Sequence, residues 1–105
     1  MPTSTKALFR GAATTTTTTV LYTVPSATTT VVSNIAVTNT AGTAGTFTLG
    51  MGTAGANTAL HTTTAIAANS TVYIDLKQVL ATTNTITGGA SATSINFHIS
   101  GVEVS

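Results

Sequence analysis

Apolar residues recur at every second position in four segments, the spacing typical of β-strands with one buried face. The side chains that share a face are Val31, Ser33, Ile35 and Val37; Phe47, Leu49 and Met51; Val72, Ile74 and Leu76; and Ile95, Phe97 and Ile99. Less regular strands are predicted at residues 20–24, 60–66 and 83–87, and a short one at 7–10. The helix-like stretch at residues 75–81 is long enough for a single turn at most.

Turn residues separate these segments. They predict breaks at residues 25–27, 52–57 and 68–70, a hairpin loop at 41–45 and a turn at 88–91. Short strands at such spacing are typical of a sandwich or a barrel. We therefore predict an all-β fold, a single β-sandwich of jelly-roll or Ig-like Greek-key type with about 7–8 short antiparallel strands. Its predicted core is Ile35, Val37, Phe47, Leu49, Val72, Ile74, Leu76, Ile95, Phe97 and Ile99.

Six consecutive threonines occupy Thr14–Thr19. Branched side chains favour extended backbone, so we predict a strand or extended arm that leads into residues 20–24, with a disordered linker as the alternative. The predicted organisation is a threonine-rich N-terminal arm or edge strand over residues 1–19 and a β-sandwich domain over 20–105.

The last apolar residues change parity. Val102 and Val104 are out of step with Ile99, and Gly101 lies at the change. A glycine within a strand often marks a bulge, which would return both valines to the core face. Alternatively, the strand continues and the valines face a neighbouring subunit.

Charge is scarce: charged residues make up 5% of the 105 residues, hydrophobic residues 42%, and the formal net charge is +1. This composition excludes the disordered class and gives no field that would attract nucleic acid or an anionic membrane. Charged side chains normally protect sheet edges, so we expect an assembly to cover much of the surface. The chain lacks cysteine, and we see no secretory signal or membrane span.

The chain offers little chemistry. Asp75 and Glu103 have no spacing that pairs them and are expected to be solvated surface acids, while His61 and His98 lack metal-ligand spacing. We therefore predict no catalytic residue, no metal site, no cofactor and no enzyme activity. Neither nucleic acid nor membrane is expected as a partner.

Seven residues are candidate contacts with a protein partner. Lys6 and Arg10 lie in the N-terminal segment and hold two of the three basic charges. They belong either to a frayed, solvated terminus or to an arm that pairs with acidic groups on a partner surface. The others have polar-face or subunit-facing positions, or are aromatic residues suited to core or interface packing: Tyr22, Tyr73, His98, Val102 and Val104.

Several stretches resemble small β-sandwich structural proteins of tailed-bacteriophage virions. They are the apolar-Tyr-x-Val-Pro stretch at residues 21–25, the Thr/Val-rich strand and Asn-Thr segment at 31–40, the Ala-Asn-x-Thr turn and strand at 68–76, and Ser-Gly-Val-Glu at 100–103. The resemblance covers residues 20–105 and implies a virion structural protein made in the host cytoplasm. It implies a capsid decoration (cement) protein on the capsid surface, bound to the major capsid protein or another virion protein as a homo-oligomer, with a trimer favoured.

Other functions remain open. A tail, neck or fibre component of a phage fits the same resemblance. An ice-binding protein would use threonine arrays, but these need a regular T-x-T repeat, whereas the run here is unbroken. A carbohydrate-binding module usually presents an aromatic platform, and the chain has no tryptophan.

Overall fold

The computed structural model describes residues 3–53 and 56–105, which form eight β-strands in two four-stranded sheets. Sheet A has the strand order β1-β8-β3-β6, and sheet B has the order β2-β7-β4-β5. The strands are β1 (Thr3–Ala12), β2 (Val20–Thr23), β3 (Thr29–Asn39), β4 (Gly45–Thr53), β5 (Ala56–Ile66), β6 (Ser70–Leu80), β7 (Thr85–Ala90) and β8 (Ile95–Val104). In these two ranges no helix is long and apolar enough to cross a membrane.

Strands placed symmetrically about the β4–β5 connection pair with each other. β4 pairs with β5, β3 with β6, β2 with β7 and β1 with β8, all antiparallel. The chain is therefore one long antiparallel ribbon wound into two sheets, which is the topology of a jelly roll. The predicted all-β sandwich is confirmed, and the strand order selects the jelly roll over the Ig-like alternative.

The core lies between the two sheets. Seven of the ten predicted core residues are at most 1% exposed, whereas Val72, Ile74 and Leu76 are only partly buried because β6 is an edge strand. Phe47 of sheet B meets Phe97 of sheet A edge to face, with ring centroids 6.3 Å apart. The sequence pattern missed other buried residues, which lie on short or irregular strands and adjoining loops or at strand ends: Leu8, Val24, Val32, Ile66, Leu80 and Ile86.

Sheet A bends along one line across its strands. Ile35 of β3 lies opposite Ile99 of β8 and Ile74 of β6, and Val32 lies opposite Gly101 and Gln78. Between these two rows, β8 has one residue, β3 has two and β6 has three. The extra residue on β3 reverses the facing of side chains beyond it. The prediction that Val31 and Ser33 share the core face is therefore wrong: Val32 is buried and Val31 faces outward.

Gly101 lies on this line, but β8 has no extra residue there. The extra residues are Leu8 on β1 and Ser33 on β3, so the predicted bulge on β8 is wrong. A Cβ at Gly101 would clash with the Val31 carbonyl oxygen and lie 2.9 Å from the buried Leu8 side chain. Glycine is required at position 101 because the Val31 backbone and the Leu8 side chain occupy the space that a Cβ would need.

The threonine run is a loop rather than a strand. Its carbonyl groups accept hydrogen bonds from β7: Ala90 N donates to Thr14 O (2.9 Å) and Gly88 N to Thr19 O (3.0 Å). Within the loop, the Thr19 hydroxyl donates to Thr16 O at 2.8 Å and lies 2.6 Å from the Thr14 hydroxyl. The predicted strand or arm is wrong for Thr14–Thr19 because the hydroxyl groups bond within the loop, and only its two ends, at Thr14 and Thr19, bond to β7.

Three local predictions also change. Residues 75–80 continue β6 because they pair with β3, so no helical turn forms. Residues 41–45 cross from sheet A to sheet B and are not a hairpin loop, and Gly88, Gly89 and Ala90 lie within β7 rather than in a turn. The turn at 68–70 is confirmed, with Asn69 in the left-handed region at φ 51°. The predicted connection at 52–57 includes residues 54 and 55, which lie outside the described residues.

We expect Phe97→Ala to lower the free energy of unfolding by about 3–5 kcal/mol, because it removes the centre of the contact between sheets. The matched control is Tyr73→Ala on the exposed face, which should cost less than about 1 kcal/mol. Urea denaturation measures both, and a loss below about 1 kcal/mol for Phe97→Ala would contradict the core assignment.

We expect Gly89→Ala to destabilise the fold by about 1–3 kcal/mol, because the new Cβ would lie 2.5 Å from the Thr16 carbonyl oxygen and displace the threonine loop. Gly42→Ala is the control, since a Cβ there meets nothing within 4 Å. Equal thermal stability of the two variants would show that the loop does not lie against β7.

Candidate functional site

The outer face of sheet A brings together most of the candidate partner contacts. Arg10 lies opposite His98, His98 opposite Ala36, and Ala36 opposite Tyr73, so one row of side chains crosses all four strands. Tyr73 is 72% exposed, and Ala36 beside it is small. The row therefore presents an aromatic ring at one edge of the sheet and cationic or polar groups at the other.

A second group of side chains on this face is apolar. Val31 lies opposite both Val79 and Val102, and Val104 is the next outward residue on β8. Val79 is 67% exposed, and the other three are partly buried. These four residues, the valine patch, lie across the bend from the Tyr73 row, so Val102 and Val104 face outward as in the second of the two alternatives.

Asp75 and Asn34 lie between the row and the patch. The Asn34 amide donates to the Asp75 carboxylate at 3.1 Å, and Asn34 is also opposite Ser100. Asp75 is exposed, as expected for a surface acid. The sequence analysis did not predict Val31, Ala36 and Val79 as part of this face. Val79 could have been predicted, because it has the same parity along β6 as the outward residue Tyr73.

Lys6 and Tyr22 do not belong to this face. Lys6 forms an ion pair with Glu103 (3.4 Å) at one end of the sandwich. Tyr22 is 9% exposed and packs in the core, so it offers no surface to a partner and is removed from the candidate contacts. Its hydroxyl bonds to the Thr30 hydroxyl at 2.9 Å and donates to the Glu103 carboxylate.

Glu103 is therefore not a solvated surface acid as predicted; its side chain is 15% exposed and bound by both Tyr22 and Lys6. Burial, together with the hydrogen bond to Glu103, raises the pKa of Tyr22 from 10.0 to about 12. The cluster links β1, β2, β3 and β8, and its evident effect is structural.

The histidines lie on different sheets. His61 is on β5, with its ring 5.5 Å from that of Phe47, whereas His98 is on the outer face of sheet A. Within residues 3–53 and 56–105, no group of three His, Cys, Asp or Glu side chains is placed to hold a metal ion. The imidazoles therefore do not combine with Asp75 or Glu103 into one site.

Sheet B has a different outer surface. A shallow groove runs between the threonine loop and β5, lined mainly by threonines and small residues. Asn57 spans it by donating to Thr87 Oγ1 (2.9 Å) and accepting from Thr85 Oγ1 (3.0 Å), across the glycine at position 50. These polar groups bind one another, so the groove is less suited to a partner than the sheet A face.

Comparison with known proteins finds similarity of fold. No family model matches the chain, and no curated protein matches it. Two similar solved chains come from a structure of the infectious bursal disease virus Gx strain (12% identity) and from the crystal structure of the T13 IBDV viral particle (9% identity). Each superposes with a TM-score of 0.56 over 97% of this chain, which spans only 30% of the length of the viral chain. At this identity, the similarity concerns the jelly-roll fold.

We expect the stability of the protein to fall as the pH rises from about 10 to 12, since Tyr22 ionises less readily in the folded state. This contribution is complete below pH 10, the unfolded pKa, and is lost as the pH passes the folded pKa of about 12. Urea midpoints should show the loss in the native chain and in Tyr73→Phe, but much less of it in Tyr22→Phe. An identical alkaline loss in Tyr22→Phe would contradict the role of this hydroxyl.

Proposed function

We propose that this chain is a non-enzymatic structural protein of a virion: a capsid decoration (cement) protein that binds the outer shell of a tailed bacteriophage and stabilises it. The observation that carries the proposal is the outer face of sheet A, where Tyr73 and Val79 are exposed and the other residues of the valine patch are partly exposed. Exposed apolar groups of this kind usually mark a protein interface.

The shape of the molecule suits attachment by a face. Its extents are 45 × 25 × 18 Å, and the thin axis fits two sheets packed about 10 Å apart. The broad face can supply the roughly 800 Å² per partner of a standard interface. Tyr73 would enter a depression on the shell, the valine patch would lose its water, and Arg10 would meet an acidic group at the rim.

Two further observations support a virion role. The similar solved chains come from virus particles, and the scaffold motifs over residues 20–105 resemble phage structural proteins. Under this proposal the partner is the major capsid protein or another virion protein, and the chain is a homo-oligomer without nucleic acid, membrane or cofactor. A trimer is favoured because icosahedral shells offer threefold positions for closed symmetric oligomers.

Deletion of the N-terminal segment would be a suitable test of a free arm, but this segment is part of the sheet. β1 pairs with β8 over its length and contributes buried Leu8 to the core, so deleting residues 1–10 would damage the fold. Point variants on the outer face of sheet A therefore test attachment more cleanly than truncation does.

We expect particles stripped of the protein to lose genome at lower temperature or milder osmotic shock than complete particles, and added protein to restore stability. The variant pair Tyr73→Ser and Val79→Glu should bind stripped particles about tenfold or more weakly while unfolding as the native chain does. Thr62→Glu, exposed on sheet B, is the matched control and should bind normally.

Two outcomes would contradict the cement role. One is that stripped particles are as stable as complete ones. The other is that the protein is found only at the tail, which would favour the tail, neck or fibre alternative. Normal binding by the Tyr73 and Val79 variants would contradict the assignment of the face.

A further inference from the structure

β6 is the edge strand best able to pair with another chain. The four edges are β1 and β6 in sheet A and β2 and β5 in sheet B. β2 has only 4 residues, β5 is distorted by Thr63 at φ 46°, and β1 contains the extra residue Leu8. β6 has 11 residues, contains no positive φ, and alternates between half-buried and exposed side chains from Ser70 to Lys77. Like β1, it has an extra residue, because Leu76 and Lys77 lie beside the single residue Ser33 of β3. Two copies of β6 share this irregularity, so they can pair with each other without a register shift, and a long edge strand permits such pairing.

The outward side chains of β6 are self-complementary. In chain order they are Tyr73, Asp75, Lys77 and Val79: apolar, acidic, basic, apolar. When such a strand meets a second copy of itself in antiparallel orientation, the order reverses. Asp75 then lies opposite Lys77 of the second copy, and Tyr73 opposite Val79 of the second copy. Both are favourable kinds of cross-strand pair.

The inner side of β6 leaves apolar surface at the same edge. Val72, Ile74 and Leu76 pack against the core but remain partly exposed. In the antiparallel arrangement described above, Leu76 lies opposite Leu76 of the second copy, and Val72 opposite Leu80 of that copy. A second copy would therefore extend the core beyond the edge and cover these side chains.

We propose that β6 pairs with β6 of a second copy across a twofold axis at Leu76, joining the two A sheets into one continuous sheet. Charge selects this register. A twofold axis between two residues would place inward side chains opposite outward ones. An axis at Asp75 or at Lys77 would keep the faces matched but would place like charges opposite each other. The contact is isologous, as a twofold interface requires.

This pairing goes beyond the proposed attachment to a shell and does not depend on it. It is a contact between copies that can form in solution, and on a shell it would link neighbouring oligomers. The pairing would also make one continuous surface of the outer faces of the two A sheets. Tyr73 and Val79 of both copies would lie along the β6–β6 contact, which we call the seam.

A charge-swap series tests the pairing by sedimentation of the purified chain over a range of concentrations. The native chain should form a reversible dimer. Lys77→Asp and Asp75→Lys should each weaken dimerisation about tenfold or more, because each places like charges opposite each other. The double variant Asp75→Lys/Lys77→Asp should restore it.

Two control variants separate the edge from other effects. Arg10→Asp changes charge at the opposite edge of the same sheet and should leave the dimer intact. Asn34→Ala removes the hydrogen bond that Asp75 accepts within the chain and should also leave it intact. Thermal unfolding of every variant establishes that the monomer remains folded.

Because the chain has no cysteine, cross-linking can report the register directly. Tyr73→Cys/Val79→Cys should oxidise to a disulfide-linked dimer, since these positions oppose each other across the seam, and either single variant should not. A native chain that stays monomeric up to millimolar concentration would overturn the pairing, as would a dimer insensitive to both single charge changes or failure of the double swap to restore it. Binding of the Asp75→Lys variant to stripped particles separates the two proposals, because this variant keeps Tyr73 and the valine patch while losing the dimer.

Discussion

The close packing of Phe47 against Phe97 holds the two sheets together, and the rest of the structure depends on it. The two rings come from the central strands β4 and β8, and their edge-to-face contact lies among the most buried side chains of the molecule. Because the inner faces of the two sheets bury each other's apolar side chains, only the outer faces contact solvent or partners. The chain has few charges with which to solubilise those faces. The sandwich is therefore stable internally but chemically suited to association.

The bend in sheet A determines which side chains lie in the core and which form the valine patch on the outer face. Leu8 and Ser33 are accommodated as extra residues on either side of Gly101, which has no side chain to oppose them. The bend fills the core with Leu8 and Val32 and turns Val31 outward, beside Val102, which faces outward through the regular alternation of β8. The valine patch is thus a consequence of how the core closes at one end of the sheet.

Threonine replaces charge as the polar component of this protein. Its hydroxyl groups bind a backbone carbonyl and one another in the β1–β2 loop, and they bind the side-chain amide of Asn57 across sheet B. Among the described residues, every buried side-chain nitrogen or oxygen has a hydrogen-bond partner. The unbroken threonine run is therefore used to close a loop against Gly89 of β7 rather than to build a regular array.

The sequence by itself determined the fold class and the centre of the core, because alternation along β4, β6 and β8 is a local property of regular strands. It also identified Arg10, Tyr73 and His98 as separate surface candidates. Only the tertiary structure placed those three in one row, since their register joins residues distant in the chain. The facing of Val31 and Val102 and the burial of Tyr22 and Glu103 depended on it too. Bulges and inter-sheet contacts are decided by neighbouring strands, and the pattern within a single strand carries no information about them.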